Sequence, residues 1–304
     1  KLVHFIGKDN IVFHCVIFPA MLKAEGSYIL PDNVPANEFL NLEGQKLSTS
    51  KNWAVWLHEY LEDFPGKQDS LRYALTAAAP ETKDNDFTWK DFQARNNNEL
   101  AAIFGNFINR VVVLTHKYYN GLVPTPNAFT TEDLAVLQEL KAYPDVIAST
   151  IERYRFREAS QEMMNVARLG NKYLADQEPW KVIKTDPERV KTQLFVALQV
   201  ASALAVLAEP FLPHAAQKLN DMLQLGQKDW NFLKSEVMLE PGHQINAATI
   251  LFEQIDDAQI EKQMEKLAAS KVSDAAAAEV AELKPETTFE KFSEMDLRVG
   301  TILA

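Results

Sequence analysis

The chain has 304 residues, 47% of them hydrophobic and 24% charged, and a formal net charge of −11. That length allows two domains and a sizeable core, and the composition is that of a soluble globular protein. No apolar run is read as approaching the ~20 residues a bilayer span needs, and no charged-then-apolar leader opens the chain. Cys15 is the single cysteine, which excludes an internal disulfide and any Cys-pair zinc site and makes a reducing, cytoplasmic compartment the expectation. The 31 Lys and Arg against 42 Asp and Glu work against a wholly basic, RNA-coating surface. The charge is uneven, however. Residues 151–200 hold nine basic and seven acidic side chains, and residues 251–290 hold four and ten, so a local basic face stays open.

In chain order, Leu2 to Gly7 reads as a core strand, Lys8-Asp9-Asn10 as a loop, and Ile11 to Lys23 as a helix. The loop then lies at the carboxyl end of a strand, where open α/β sheets bind ligands. Residues 31–50 are punctuated by Pro, Asn and Gly and end on a polar loop, Glu43 to Lys51. From about residue 69 the pattern is helical and stays so. Leu100, Ile103, Phe104, Phe107, Ile108, Val111 and Leu114 fall at helix spacing and form one apolar stripe. Thr130-Thr131-Glu132-Asp133 opens the next helix as an N-cap, and an amphipathic run covers about 145–175. Leu194 to Leu207 is apolar nearly all round and predicts a buried helix, which Pro210 and Pro213 break or kink before His214 restarts it. These elements predict an antiparallel helical bundle. Residues 268–286, rich in Ala, Lys and Glu, read as a partly helical linker. Phe289, Phe292 and the Leu297–Leu303 run then begin a β-rich unit. A chain that opens and stops on strands without partners reads as a fragment.

Three stretches carry a family resemblance. The first is His4-Phe5-Ile6-Gly7-Lys8-Asp9-Asn10-Ile11-Val12-Phe13-His14, running on to Phe18-Pro19-Ala20-Met21-Leu22. Physically, Gly7 admits close approach of a ligand to backbone, Asp9 can accept from ribose hydroxyls, and Phe13 with His14 can wall a pocket for a flexible thioether. A packed helix histidine would read the same way at His14. The second is Lys46-Leu47-Ser48-Thr49-Ser50, which alone is a weak signal for anything but polar surface. The third runs from Leu71-Arg72-Tyr73 through Asp86-Phe87-Thr88-Trp89-Lys90-Asp91-Phe92 to Asn98-Glu99-Leu100. Beyond it, Asn106 and Arg110 are four apart on one helix face, at the shoulder of the apolar stripe. Farther on stand Asn171-Lys172-Tyr173 and Glu178-Pro179-Trp180-Lys181. A Pro-Trp pair at a helix end is as readily a packing element as a binding one.

In this order the stretches resemble the methionyl-tRNA synthetases. The resemblance implies a mainly α fold in four parts. Residues 1–65 are the C-terminal half of a Rossmann-like α/β catalytic domain, and residues 66–267 an antiparallel helical-bundle anticodon-binding domain. Residues 268–286 are a linker, and residues 287–304 the truncated start of an OB-fold. It implies ATP and methionine as substrates with Mg2+, and methionine tRNA as partner. The nucleotide would meet Gly7, Asp9, His14 and Thr49, and methionine would meet Asn10, Phe13, His14 and Phe18. Asn10 and Phe18 stand where many bacterial relatives have Ile and Trp, a form that resembles the archaeal and eukaryotic branch. The pentapeptide resembles the Lys-Met-Ser-Lys-Ser loop of class I synthetases, with Thr49 in place of its second Lys. Lys46, Ser48, Thr49 and Lys51 become the catalytic set. Anticodon contacts carry over onto Asn106, Arg110 and Trp180, an indole for stacking and two side chains for a base edge. The His-Ile-Gly-His signature and a zinc-bearing insert would lie upstream of Lys1, so these residues alone are expected to be inactive. A homodimer through the OB-type module of the full-length protein is a further implication. Two rivals remain: another class I synthetase of the Leu, Ile or Val type, and a non-catalytic tRNA-binding or scaffold protein reusing the bundle.

Overall fold

A computed structural model describes residues 1–277 and 288–294. Strand β1 (Ile6–Gly7) pairs parallel with β2 (Ala36–Asn37), in the register Ile6 to Ala36 and Gly7 to Asn37. Between them a tight helical turn at Lys8–Asn10 leads through a wide turn at Phe13–Ile17 into α1 (Phe18–Glu25). Gly26, at φ 90°, ends α1 in a left-handed cap, a conformation glycine adopts without strain. A second sheet joins β3 (Leu40–Leu42) antiparallel to β4 (Gln45–Lys46), through a turn whose Glu43 and Gly44 both have positive φ. The stretch predicted as a polar loop is therefore half hairpin, and Lys46 lies on its second strand.

The expectation of unbroken helix beyond residue 69 needs one correction. After α2 (Leu57–Asp63) and α3 (Gln68–Ala77), β5 (Asn85–Phe87) adds to the free edge of β3 in parallel. Phe87 and Leu42 pair in that register and are both buried, so the strand forms where it can bury an aromatic ring. Thr88 caps the next helix by accepting from Asp91 N–H at 3.0 Å. That helix is α4 (Trp89–Ala94), which continues through a wide-turn segment, Arg95–Gly105, into α5 (Asn106–Tyr119).

Thr130 and Asp133 form a reciprocal capping box that opens α6 (Thr131–Glu152). The amphipathic run predicted over 145–175 is two helices. Arg153 ends α6, Tyr154 turns left-handed at φ 62°, and α7 (Phe156–Gln177) follows. Glu178, left-handed at φ 43°, ends α7 and Pro179 begins the short α8 (Pro179–Val182). The predicted buried helix is longer than its apolar run: α9 spans Pro187–Leu207, and every residue from Thr192 on is buried. Against the expectation that no apolar run approaches the length of a bilayer span, α9 is long and apolar enough to cross a bilayer, but the protein itself buries nearly all of it. Pro213 starts α10 (Pro213–Leu223). The intervening break is held by α3, where Asp69 accepts from Ala215 N–H at 2.7 Å and Arg72 donates to Pro210 O at 3.1 Å.

The buried side chains form two clusters. The larger draws on α5, α6, α7, α9 and α10. The smaller gathers Leu42, Trp53, Tyr60, Phe64, Phe87, Trp89 and Phe92, closed by Ile255, Ile260 and Leu267. The last two lie on α11 (Asp257–Ala277), which runs from residues assigned to the bundle into the predicted linker. At the far end Phe289–Ser293 is a short helix, α12, rather than the start of a strand, and Leu297–Leu303 lies outside the described residues.

One buried ion pair ties three helices. Asp133, with no solvent exposure, bonds Arg189 through both carboxylate oxygens and accepts from Tyr173 Oη at 2.5 Å. Burial pushes its carboxyl up, but the Arg189 and Tyr173 bonds outweigh that and hold it below the usual range. A lowered folded value means that this stabilisation is complete above the unfolded carboxylate's value of about 4 and is lost as pH falls through the folded one. Asp133→Ala leaves Arg189 without its partner and removes one arm of the α6 capping box, and is expected to cost about 3–5 kcal/mol. Urea denaturation of both proteins at pH 7 checks it, and the gap between them should narrow near pH 3.

Candidate functional site

The residues singled out in the sequence fall into two groups. The first lies at the carboxyl ends of β1 and β2. Gly7 carries no side chain where one would collide with the Asp9 carboxylate: a Cβ there would sit 2.7 Å from Asp9 Oδ1. Asp9, Asn10 and Phe13 are exposed, while His14 and Phe18 are half-buried. His14 and Phe18 share an aromatic cluster with His4, whose ring lies 5.4 Å from His14 and 5.8 Å from Phe18. The Nδ1 atoms of His4 and His14 are both buried with no hydrogen-bond partner. Phe13 meets His14 edge-on at 5.8 Å yet keeps more than half its surface open. The set forms an open surface patch, not an enclosed pocket.

The signature pentapeptide sits on the hairpin beside it. Ser48 and Trp53 exchange a pair of 2.9 Å backbone hydrogen bonds that close the loop, and Asn52, at φ 51°, donates back to Thr49 O. Trp53 is buried and donates from Nε1 to Leu42 O at 2.9 Å, so the base of the loop is pinned to the smaller core. Its tip is not: Thr49, Ser50 and Lys51 are exposed, and Ser48 Oγ lies 3.2 Å from Ser50 Oγ.

Phe39 brings the two motifs together. Lys8 Nζ lies 4.4 Å and Lys46 Nζ 5.2 Å from the centre of its ring, so two ammonium groups share one aromatic ring. Lys8 also pairs with Asp84 at 2.8 Å and Glu38 at 2.5 Å, which raises its pKa. Reading the sequence missed Phe39, Glu38 and Asp84. Asp84 is 76 residues from Lys8 and no local pattern marks it.

The second group lies on the bundle. The Arg110 guanidinium stands 4.5 Å from the Trp180 ring centre, although the residues are distant in sequence. Asn106, one turn earlier on α5, is exposed, and Trp180 is half-exposed. The left-handed Glu178 and buried Pro179 aim α8 back toward α5. Asn171 does not reach this face. Its Nδ2 donates to Ile103 O at 2.7 Å, satisfying a carbonyl of the wide-turn segment. Among the described residues no group of three His, Cys, Asp or Glu side chains is placed to hold a metal ion.

Residues 1–112 match the family model described as tRNA synthetases class I (M), and residues 123–272 match the anticodon binding domain of methionyl tRNA ligase. The whole chain is 72% identical to a methionine–tRNA ligase of Flavobacterium psychrophilum and 68% identical to that of Christiangramia forsetii, covering 45% of each. These relatives are bacterial, whichever branch the Asn10 and Phe18 form resembles. Among solved structures, a Mycobacterium tuberculosis methionyl-tRNA synthetase in complex with methionyl-adenylate is 30% identical with a TM-score of 0.75, over 82% of this chain and 49% of that one. The free form of the same enzyme gives 27% and 0.73, over 84% and 50%. The chain belongs to the methionyl-tRNA synthetase family, and it spans about 45% of the length of the curated relatives it matches.

Proposed function

We propose that these residues form part of a cytoplasmic methionine–tRNA ligase that activates methionine with ATP and passes the methionyl group to the 3′-terminal ribose of methionine tRNA. The observation that carries this reading is the meeting of Arg110, one turn along α5 from the exposed Asn106, with Trp180, which lies inside the region matched by the anticodon-binding model. A guanidinium held over an indole fixes both groups before RNA arrives, which lowers the ordering cost of stacking an unpaired base. Support for the nucleotide half comes from Lys8 and Lys46 on Phe39, beside the Gly7–Asp9 cradle.

In the first step a methionine carboxylate oxygen attacks the α-phosphorus of ATP, the bond to the β-phosphate oxygen breaks, and pyrophosphate leaves with the released charge. Lys46, the Ser48 and Thr49 hydroxyls and Lys51 would meet that charge, with Lys46 or Lys51 making good the Lys that Thr49 replaces. His14 and Phe18 would close on the methionine thioether, with Phe13 and Asn10 at its rim. Mg2+ would enter bound to the phosphates and supply charge neutralisation there. A zinc site upstream, an OB-type module beginning near residue 287, a dimer through that module and an antiparallel arrangement of the bundle complete the proposal.

In the full-length protein, Lys46→Ala should slow adenylate formation far more than it weakens methionine binding, because its ammonium acts on charge that develops in the transition state. Pre-steady-state adenylate formation checks this, and an unchanged rate would reduce the hairpin to ordinary surface. The 304-residue chain alone should show only background methionine-dependent ATP–pyrophosphate exchange, since its β1–α1 unit leaves Phe13, Val16 and Met21 exposed. Trp180→Ala in the full-length protein should lower kcat/KM for tRNA roughly tenfold to a hundredfold, the value of one lost base stack, while sparing pyrophosphate exchange. If Tm and both activities fall together, Trp180 is a packing residue and the anticodon assignment fails.

A further inference from the structure

The turn between α6 and α7 reads Arg153-Tyr154-Arg155-Phe156-Arg157, basic and aromatic in alternation. Tyr154 is left-handed at φ 62°, a conformation that a bulky residue keeps only when its surroundings hold it. Aromatic contacts do so. Phe5 meets Tyr154 edge-on at 5.3 Å and lies 6.0 Å from Phe156. The aromatic half of the turn is thereby fastened to the segment leading into β1, and all three arginines are left exposed. They border an open cavity of about 910 Å³, bounded on its other sides by α3, Arg95 and the stretch from Asn33 to Asn37.

Charge in this cavity is not balanced from within. Arg95 pairs with Asp91 and Glu99, and Arg155 with Glu158. Glu81 is engaged by the Arg157 backbone N–H at 2.9 Å. Among the described residues the Arg157 guanidinium meets no carboxylate, and Arg153 donates only a 3.4 Å bond to Thr150 Oγ1. In a chain of net charge −11, two unpaired guanidinium groups facing one cavity call for an anion. Position narrows which anion. Helix α7 runs 22 residues from this turn to the Trp180 corner, about 33 Å at 1.5 Å per residue. At the near end Asn37 is the β-sheet partner of Gly7. An RNA with its anticodon at Trp180 and its 3′ end at the nucleotide patch must pass along that length. The feature it presents throughout is its phosphate backbone, which planar guanidinium groups bind in bidentate fashion.

We propose that Arg153 and Arg157 form a second, sequence-independent tRNA contact that holds the sugar-phosphate backbone between the anticodon and nucleotide sites. The proposal rests on the ligase reading above. Its test uses the full-length protein carrying Arg153→Gln and Arg157→Gln together. The Kd for a methionine tRNA transcript should rise roughly tenfold, and the slope of log Kd against log salt should fall by about 0.9 for each phosphate released. Binding of a short hairpin bearing only the anticodon loop should be unchanged, as should Tm and pyrophosphate exchange. Lysine at both positions should restore most of the salt slope. Unchanged tRNA affinity and slope would overturn the proposal, as would equal weakening of the hairpin, which would assign the arginines to the anticodon site. Joint loss of Tm, exchange and tRNA binding would also overturn it, making the turn a packing surface for another part of the polypeptide. Trp180→Ala is measured separately against the hairpin. If that binding survives, the anticodon reading fails, while the arginine pair is still judged by its own salt slope on whole tRNA.

Discussion

A helix that is apolar on every side must be enclosed, and the enclosure of α9 organises the rest of the bundle. Each large apolar side chain it buries contributes about 1.5–3 kcal/mol, so α5, α6, α7, α8 and α10 are all drawn against it. Its few polar side chains set where the loops go. Thr192 accepts from Asn127 N–H at 2.9 Å, and Gln199 both donates to Leu239 O at 3.0 Å and accepts from Met238 N–H at 2.7 Å. Ser202 returns its hydroxyl to Leu198 O within the helix. A buried polar group left unpaired costs more than a paired one gains, so these bonds specify loop position as much as they add stability.

Once α9 fixes α5 and α7 by their inner faces, their outer faces are left to solvent. Phe107, Ile108 and Val111 face the core, while Asn106 on the same helix is exposed and Arg110 leans across to Trp180. The helix that presents them is continuous from Trp89. Its first turns bury Trp89 and Phe92 in the smaller core, and its later ones bury Phe104, Phe107, Ile108, Val111 and Val112 in the larger. One rod anchored in both cores fixes the hairpin end of the molecule relative to the Arg110–Trp180 face. Side-chain contacts at either end need not supply that alignment.

Much of this was legible in the sequence where periodicity and burial agree. The Leu100–Leu114 stripe, the Thr130 cap and the buried run ending at Leu207 all report a local rule that the fold obeys. What escaped depended on partners far away. Asn85–Phe87 is a strand only because the edge of β3 is free to receive it, and three residues carry no period to read. The break at Tyr154 is invisible in an amphipathic pattern that continues on both sides, since Phe5, some 150 residues earlier, holds it. At the site, Asn106, Arg110 and Trp180 were legible through a family pattern, and helix spacing put the first two on one face. The meeting of Lys8 and Lys46 on Phe39 was not legible, because contacts between residues so far apart in the chain leave no spacing signal.

The hairpin that carries Lys46 to Lys51 is anchored at its base and open at its tip. Its base is closed by the Ser48–Trp53 backbone pair and the buried Trp53 indole. Behind it, Asn52 accepts from Trp56 Nε1 at 2.8 Å, which ties the loop to the start of α2. The other end of α2 is held by α11, whose Lys262, Gln263 and Lys266 all donate to the Asp63 carboxylate. Those bonds outweigh the desolvation that would raise Asp63 and hold its carboxyl far below the usual range, so the clamp stays charged across physiological pH. Leu47 and Thr49 to Lys51 remain exposed outside these ties. Ordering a residue costs about 1–2 kcal/mol, and closing these four over a triphosphate, as proposed, would cost on the order of 4–8 kcal/mol. Charge-assisted hydrogen bonds at about 1.5–3 kcal/mol each can offset that sum only if several form at once. The Lys46 and Lys51 ammonium groups, the Ser48 and Thr49 hydroxyls and the loop's backbone N–H groups supply that number. On the proposed reading the second Lys of the commoner motif is therefore not required for the loop to close, and Thr49 would stand in its place.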